Sequence, residues 1–154
     1  MAEGFRCVVA TPTRELFSGT VYYADVPGRD GRFGVLSGHQ SLVALNHQGG
    51  KLTLHLDPDG NEKKTFLIHH GCTQVLHNHL SVLARFGCDP EEIDVEDIKA
   101  KAADLRTILE ERIAKYEASP DKGEYTAADR AGIDNQSTHL SWYEAQIDYV
   151  ENKR

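Results

Sequence analysis

The chain changes texture at Cys88, and that change constrains the fold more than any single motif. Up to that point short apolar runs are separated by glycine and proline turns. The next stretch, "DPEEIDVEDIKAKAADLRTILEERIAKYEA", holds no glycine and is rich in Ala, Leu, Glu and Lys. A pattern with a helical period does not settle as a strand, nor a two-residue period as a helix, so two differently built parts share one chain. We place an antiparallel β-sandwich at residues 1–88 and an αα-hairpin at residues 89–154, an α+β protein.

The first part reads as strands. "KLTLHLD", Lys51 to Asp57, alternates without a fault and puts Leu52, Leu54 and Leu56 on one face of a half-buried strand. "PDGN" then turns the chain, because proline sets one dihedral and Asp59-Gly60 tolerates positive φ. "KTFLIHH" returns as the partner strand. "FRCVVAT", "TVYYADV", "CTQVL" and "LSVLARF" read as further single strands.

In the second part Ile98, Ala102, Leu105, Leu109, Ile113 and Tyr116 form one apolar stripe of an amphipathic helix. Asp94 suits its N-cap. "SPDKGEYT" breaks the helix, and Gln136, Leu140, Tyr143, Ile147 and Val150 make a second stripe. Gly132, Asn135 and Thr138 are poor helix residues, so the start of that second helix is expected to fray or bend.

Charge excludes some partners. Residues up to Cys88 carry a net +1 and the remainder −8. A C-terminal part that acidic does not bind nucleic acid, nor seek an anionic membrane surface. No apolar run reaches the roughly 18 residues a membrane helix needs, and the N-terminus lacks the pattern of an export signal, so no direct membrane insertion is expected. Cys7, Cys72 and Cys88 are odd in number and widely spaced, as reduced thiols would be.

Three constellations invite a chemical reading. "VPGRDGRFGVLSGH" is dense in glycine, yet its glycines at 28, 31, 34 and 38 match neither a dinucleotide fingerprint nor a P-loop. They supply turns, and Arg29, Asp30 and Arg32 form a charged tip of the kind docking loops carry. His69, His70, Cys72, His77 and His79 crowd into eleven residues and are candidate metal ligands. Strand geometry sends His69 and His70 to opposite faces, however, and no C-x-x-C or H-x-x-x-H pair is present, so exposed edge and turn histidines are the simpler description. Finally, no serine lies in a G-x-S-x-G pattern, no cysteine has an obvious activating partner, and Glu91-Glu92 and Glu110-Glu111 suit a solvated helix face. Neither an enzyme nor a cofactor is expected.

The ordered motifs "VVATPTRELFSG", "VPGRDGRFGVLSGHQSL" and "LSVLARF", followed by a helical hairpin, resemble the epsilon subunit family of bacterial rotary ATP synthases, called delta in mitochondria. The string from Val26 to Leu42 carries most of the likeness. The resemblance implies a ten-stranded β-sandwich on the central stalk of a proton-translocating enzyme, at the cytoplasmic face of the cell membrane. Its partners would be the gamma subunit and the membrane rotor ring. The loop matching Arg29, Asp30, Gly31 and Arg32 would face the ring, His39 would lie toward gamma, and Leu42 would belong to the same interface. Such a subunit does no chemistry; it couples ring rotation to the catalytic head.

Departures from the family pattern matter. Ser37 and Ser41 stand where prolines are usual, which predicts a less rigid loop. His69, His70 and Gly71 stand where S-G-G is common. The hairpin of many bacterial members extends into the catalytic head and blocks hydrolysis, and in some it binds ATP through I/L-D-x-x-R-A. Here Ile93 and Asp94 match, but Asp97 and Ile98 take the Arg and Ala places, so a carboxylate replaces the phosphate-pairing guanidinium. From Ser119 to Arg154 the bases are Lys122, Arg130, Lys153 and Arg154 against seven acids, which predicts a weak inhibitory latch, or one confined to Lys153 and Arg154. The alternative function is a free-standing sandwich that binds a metal or small ligand at its histidine-rich edge.

Overall fold

The computed structural model describes residues 3–120 and 126–152, which fall into two compact units dividing between Ile93 and Asp94. The first unit contains strands β1 (Phe5–Ala10), β2 (Glu15–Val21), β3 (Tyr23–Gly28), β4 (Gly31–Val35), β5 (Leu42–Leu45), β6 (Gly50–His55), β7 (Lys63–His69), β8 (Cys72–Leu76), β9 (His79–Leu83) and β10 (Phe86–Cys88). They form two five-stranded sheets, ordered β2-β1-β9-β8-β5 and β10-β7-β6-β3-β4. Every pairing is antiparallel except β1 with β9, which is parallel.

Alternation decides which side chains fill the sandwich. Phe5, Cys7 and Val9 on β1 point inward, as do Leu52 and Leu54 on β6, and all five are essentially inaccessible. Leu56, just past β6, packs on the same core while partly exposed.

Two runs that read as single strands are sheet-switching corners. "TVYYADV" breaks at Tyr22: β2 ends in the first sheet and β3 begins in the second. "LSVLARF" breaks after Leu83, with β9 in the first sheet and β10 in the second. Such corners link the layers of a sandwich. The apolar pattern does not announce them, because a bend changes a residue's neighbours without breaking the run. Periodicity does not announce strand β5, because "LVAL" is apolar at every position and has no two-residue alternation to find.

Asp89–Ile93 remain with the sandwich. Asp89 accepts from the Glu91 amide at 3.0 Å to cap a 3-10 turn at Pro90–Glu92, and it ion-pairs with Lys64, while Arg14 bonds Glu92 at 2.9 Å.

The second unit is the hairpin of α1 (Val95–Ala118) and α2 (Ala127–Glu151). Asp94 caps α1 by accepting from the Asp97 amide at 3.2 Å. Ala102, Leu105, Leu109 and Ile113 of the α1 stripe pack against Ile133, Leu140, Tyr143 and Ile147 of α2. Lys99–Glu151 at 2.5 Å, Arg106–Glu144 at 3.0 Å and Arg112–Gln136 at 3.1 Å tie the exposed flanks in antiparallel order. Helix α2 runs without a break through Gly132. Helix α2 starts five residues earlier, where Thr126 and Asp129 form a reciprocal capping box. Thr138 is accommodated because its hydroxyl donates to the Asp134 carbonyl at 2.9 Å.

Candidate functional site

The β3–β4 hairpin carries the charged tip. Gly28 pairs with Gly31, whose φ of 139° is one that side chains rarely adopt, and Arg29 and Asp30 form the exposed bend. The Arg29 amide donates to the Leu45 carbonyl at 2.8 Å, which anchors the tip to β5. Arg32 is used differently from its neighbours. Its Nε lies 3.2 and 3.3 Å from the two Asp25 carboxylate oxygens, and its Nη2 donates to the Lys51 carbonyl at 2.7 Å. The guanidinium thus bridges its own sheet while its side chain stays about half exposed beside Arg29 and Asp30.

The following loop, residues 36–41, is held from outside itself. The Gly38 amide donates to Asn78 Oδ1 at 2.8 Å, and Ser37 and Asn78 exchange side-chain contacts at 3.2 to 3.3 Å. Asn78 and His77 both have positive φ and make the β8–β9 turn. The serine at 37 therefore finds a partner that proline could not, and a cross-loop hydrogen bond supplies restraint that ring geometry would otherwise give. His39 Nδ1 donates to the Gln40 carbonyl at 2.7 Å. Leu42 opens β5, pairs with Val75 and packs half-buried against the core.

The outer face of the first sheet carries an apolar row that local sequence patterns do not announce. Strand register lines up Leu45, Cys72, Leu83 and Ala10 in one row across four strands. Val43, Leu45 and Leu83 are 68%, 54% and 49% exposed, while the next outward rows mix in Gln74 with Ser81 and Leu76 with His79. A largely apolar cavity of about 640 Å³ opens beside this row, lined by Thr11, Pro12 and Arg85 as well as by the row itself. An exposed apolar row beside an apolar cavity is surface of the kind that interaction sites use. The available signal was "LVAL", because a strand apolar on both faces reads as one that is covered on both.

The profile of the family described as "ATP synthase, Delta/Epsilon chain, beta-sandwich domain" matches residues 4–87. The chain belongs to the ATP synthase delta/epsilon family. It is 33% identical over 130 residues to the ATP synthase epsilon chain of Maricaulis maris (strain MCS10), which spans 77% of this chain and 95% of that one. It is 39% identical over 100 residues to the ATP synthase epsilon chain of Solibacter usitatus (strain Ellin6076), 65% of this chain and 72% of that one. In fold it resembles a chain of the Euglena gracilis mitochondrial ATP synthase, OSCP/F1/c-ring, with a TM-score of 0.53 at 23% identity over 92% of this chain and 80% of that one. Among the described residues no helix is long and apolar enough to cross a membrane.

Within this delta/epsilon family member the clustered histidines separate in space. His69 and His70 sit at one end of β8 and His77 and His79 at the other, five strand residues or roughly 16 Å apart. Among the described residues no three His, Cys, Asp or Glu side chains come together to hold a metal ion. Nor do His69 and His70 point to opposite faces as strand geometry suggested. His70 has φ 58°, so the chain is already turning, and the two rings meet edge to face with centroids 4.5 Å apart. The remaining ionisable candidates are equally committed. Asp94 is spent on its helix cap, Asp97 pairs with Lys101 at 2.6 Å, and burial pushes the Cys7 and Cys88 thiols up to about 12.

Asn46 organises the end of the sandwich where this turn lies. Its side-chain amide donates to the His70 and Leu83 carbonyls, both at 3.1 Å, and its oxygen accepts from the buried Thr73 hydroxyl at 2.7 Å. Three chain segments are joined by one buried side chain with its polar atoms satisfied.

His69, 1% exposed, is held neutral by burial and by the adjacent His70, its pKa lowered to about 4. Unfolded, it takes a proton near 6.5, so between those values the unfolded chain binds more protons and stability falls as pH falls. Between pH 7 and pH 5 the expected loss is about 1 to 2 kcal/mol. Urea midpoints of wild type and His69→Ser measured at both pH values check this; equal losses in the two proteins would remove His69 as the cause.

Proposed function

We propose that this chain is the central-stalk subunit of a proton-translocating ATP synthase, a non-catalytic rotor element that couples rotation of the membrane ring to the catalytic head. The observation that carries the reading is the exposed apolar row across β5, β8 and β9. Its Leu45, Cys72 and Leu83 row suits a permanent partner, which we take to be the gamma subunit, with the Asn78-stapled loop and His39 at its margin. The Arg29–Asp30 tip would meet the polar loops of the rotor ring. Such a subunit sits peripherally at the cytoplasmic face of the membrane.

The α1–α2 hairpin would be a weakly inhibiting arm. Of the bases proposed for a latch, Arg130 lies exposed on α2, whereas Lys122, Lys153 and Arg154 lie outside the described residues. The free-standing metal-binding alternative is not favoured, because its ligands sit at opposite ends of β8.

The test is assembly. Coexpressed with the gamma subunit of the same ATP synthase, the chain is expected to copurify with it at equal stoichiometry under mild conditions, and failure to do so would overturn the reading. In the same assembled enzyme, removal of residues 94–154 is expected to change ATP hydrolysis little. A large activation would refute the weak latch while leaving the docking intact.

A further inference from the structure

An open cavity of about 550 Å³ lies where the β3–β4 tip, the β5–β6 connection and the β7–β8 turn meet, and its ionisable lining is one arginine and two histidines. Arg29, His47 and His70 line it together with Gln48, and among the described residues lining it there is no carboxylate. We propose that Arg29, His47 and His70 form a pocket for a small oxyanion, a phosphate or a carboxylate.

The chemistry of each group fits that ligand. Arg29 stands on the exposed bend, and its guanidinium fork matches the paired oxygens of a phosphate or carboxylate. His47 Nδ1 lies 2.9 Å from the Gln48 carbonyl, and a carbonyl can only accept, so Nδ1 carries a proton and Nε2 is the nitrogen left for a ligand. With a second proton on Nε2 the ring donates to an anion and adds charge. His70 occupies a φ of 58° that glycine would adopt without strain, so an imidazole is carried at a position whose backbone does not call for one. The charged and titratable neighbours of His70 are Arg29 and His47 across the cavity and His69 and Arg85 on its own side. All are basic.

The walls are set before any ligand arrives. The Arg29 amide donates to the Leu45 carbonyl and the His47 amide to the Pro27 carbonyl, each at 2.8 Å. The His70 amide donates to the His47 carbonyl at 3.3 Å, and Asn46 ties the Gly71 and His70 carbonyls into the same cluster. A site whose loops are already hydrogen-bonded to one another spends little of its binding energy on ordering them.

The full-length chain is titrated at pH 6.5 and constant ionic strength with inorganic phosphate and, separately, with sodium acetate, reading the ring nitrogen and carbon shifts of His47 and His70 by NMR. Saturable shifts of both rings are expected. Arg29→Gln and His70→Gly, neither of which disturbs a backbone hydrogen bond, should each weaken binding about tenfold, as removal of one charge-assisted hydrogen bond does. Lys63→Gln, at the far end of β7, should bind as wild type. Saturation by phosphate alone assigns a phosphate site, and saturation by acetate as well assigns a carboxylate-accepting one. Linear shifts without saturation, or equal weakening in all three variants, would mean general charge screening and overturn the pocket. The outcome does not depend on whether the chain copurifies with gamma.

Discussion

Replacement of Gly71 by alanine is expected to destabilise the sandwich by about 3 kcal/mol, among the larger effects of a single methyl group. Gly71 has φ 86°, and a Cβ built there falls 1.9 Å from the Leu83 carbonyl oxygen and 2.9 Å from the Ala84 Cα. Both obstacles are backbone, so no side-chain rotation relieves them. They also belong to the β9–β10 corner, and the same Leu83 carbonyl accepts from Asn46. Moving it would disturb the buried bonds of Asn46 as well. Gly31 provides the contrast: its φ is 139° but nothing lies within 4 Å of a built Cβ, so Gly31→Ala carries the backbone strain alone, about 1 kcal/mol. Urea unfolding followed by far-ultraviolet circular dichroism measures both. A Gly71→Ala loss no larger than that of Gly31→Ala would show that the corner yields freely.

The second large effect concerns assembly and not stability. The double variant Leu45→Glu, Leu83→Glu places two carboxylates in the exposed apolar row, where the free chain can solvate them and a bound partner cannot. Each leucine buried at an interface contributes about 1.5 to 3 kcal/mol, and each unpaired carboxylate left there adds a desolvation cost. Affinity for gamma should therefore fall by about a hundredfold or more. The expected result is a chain with wild-type circular dichroism and urea midpoint that no longer copurifies with gamma. Retention at wild-type yield would place gamma on another surface. A matched change at Glu110 and Glu111, on the solvated side of α1, should leave copurification unchanged.

Legibility varied with the range of the interaction. Leu52 and Leu54 could be assigned to the core from "KLTLHLD" because strand period and burial are the same fact seen twice. The α1 stripe from Ala102 to Ile113 was readable for the same reason. Intrinsic propensity undervalues the start of helix α2, where Gly132, Asn135 and Thr138 are poor helix residues. The Thr126–Asp129 capping box, two letters three apart, outweighed them. The tip residues Arg29, Asp30 and Arg32 looked alike in sequence. Only strand pairing brings Asp25 and Lys51 beside Arg32 and so distinguishes it from Arg29 and Asp30.

By itself the sequence determined the two-part plan, the inward faces of the regular strands, the cap and stripe of α1, and, through the Val26–Leu42 string, the family. Each rests on residues near one another in the chain, where periodicity and turn chemistry act. The tertiary structure decided the two sheet-switching corners, the apolar row from Leu45 to Ala10, the Asn46 junction and the meeting of Arg29, His47 and His70. These depend on pairings between strands distant in sequence. Such pairings are chosen by how two sheets close over one core, and no local pattern encodes that choice.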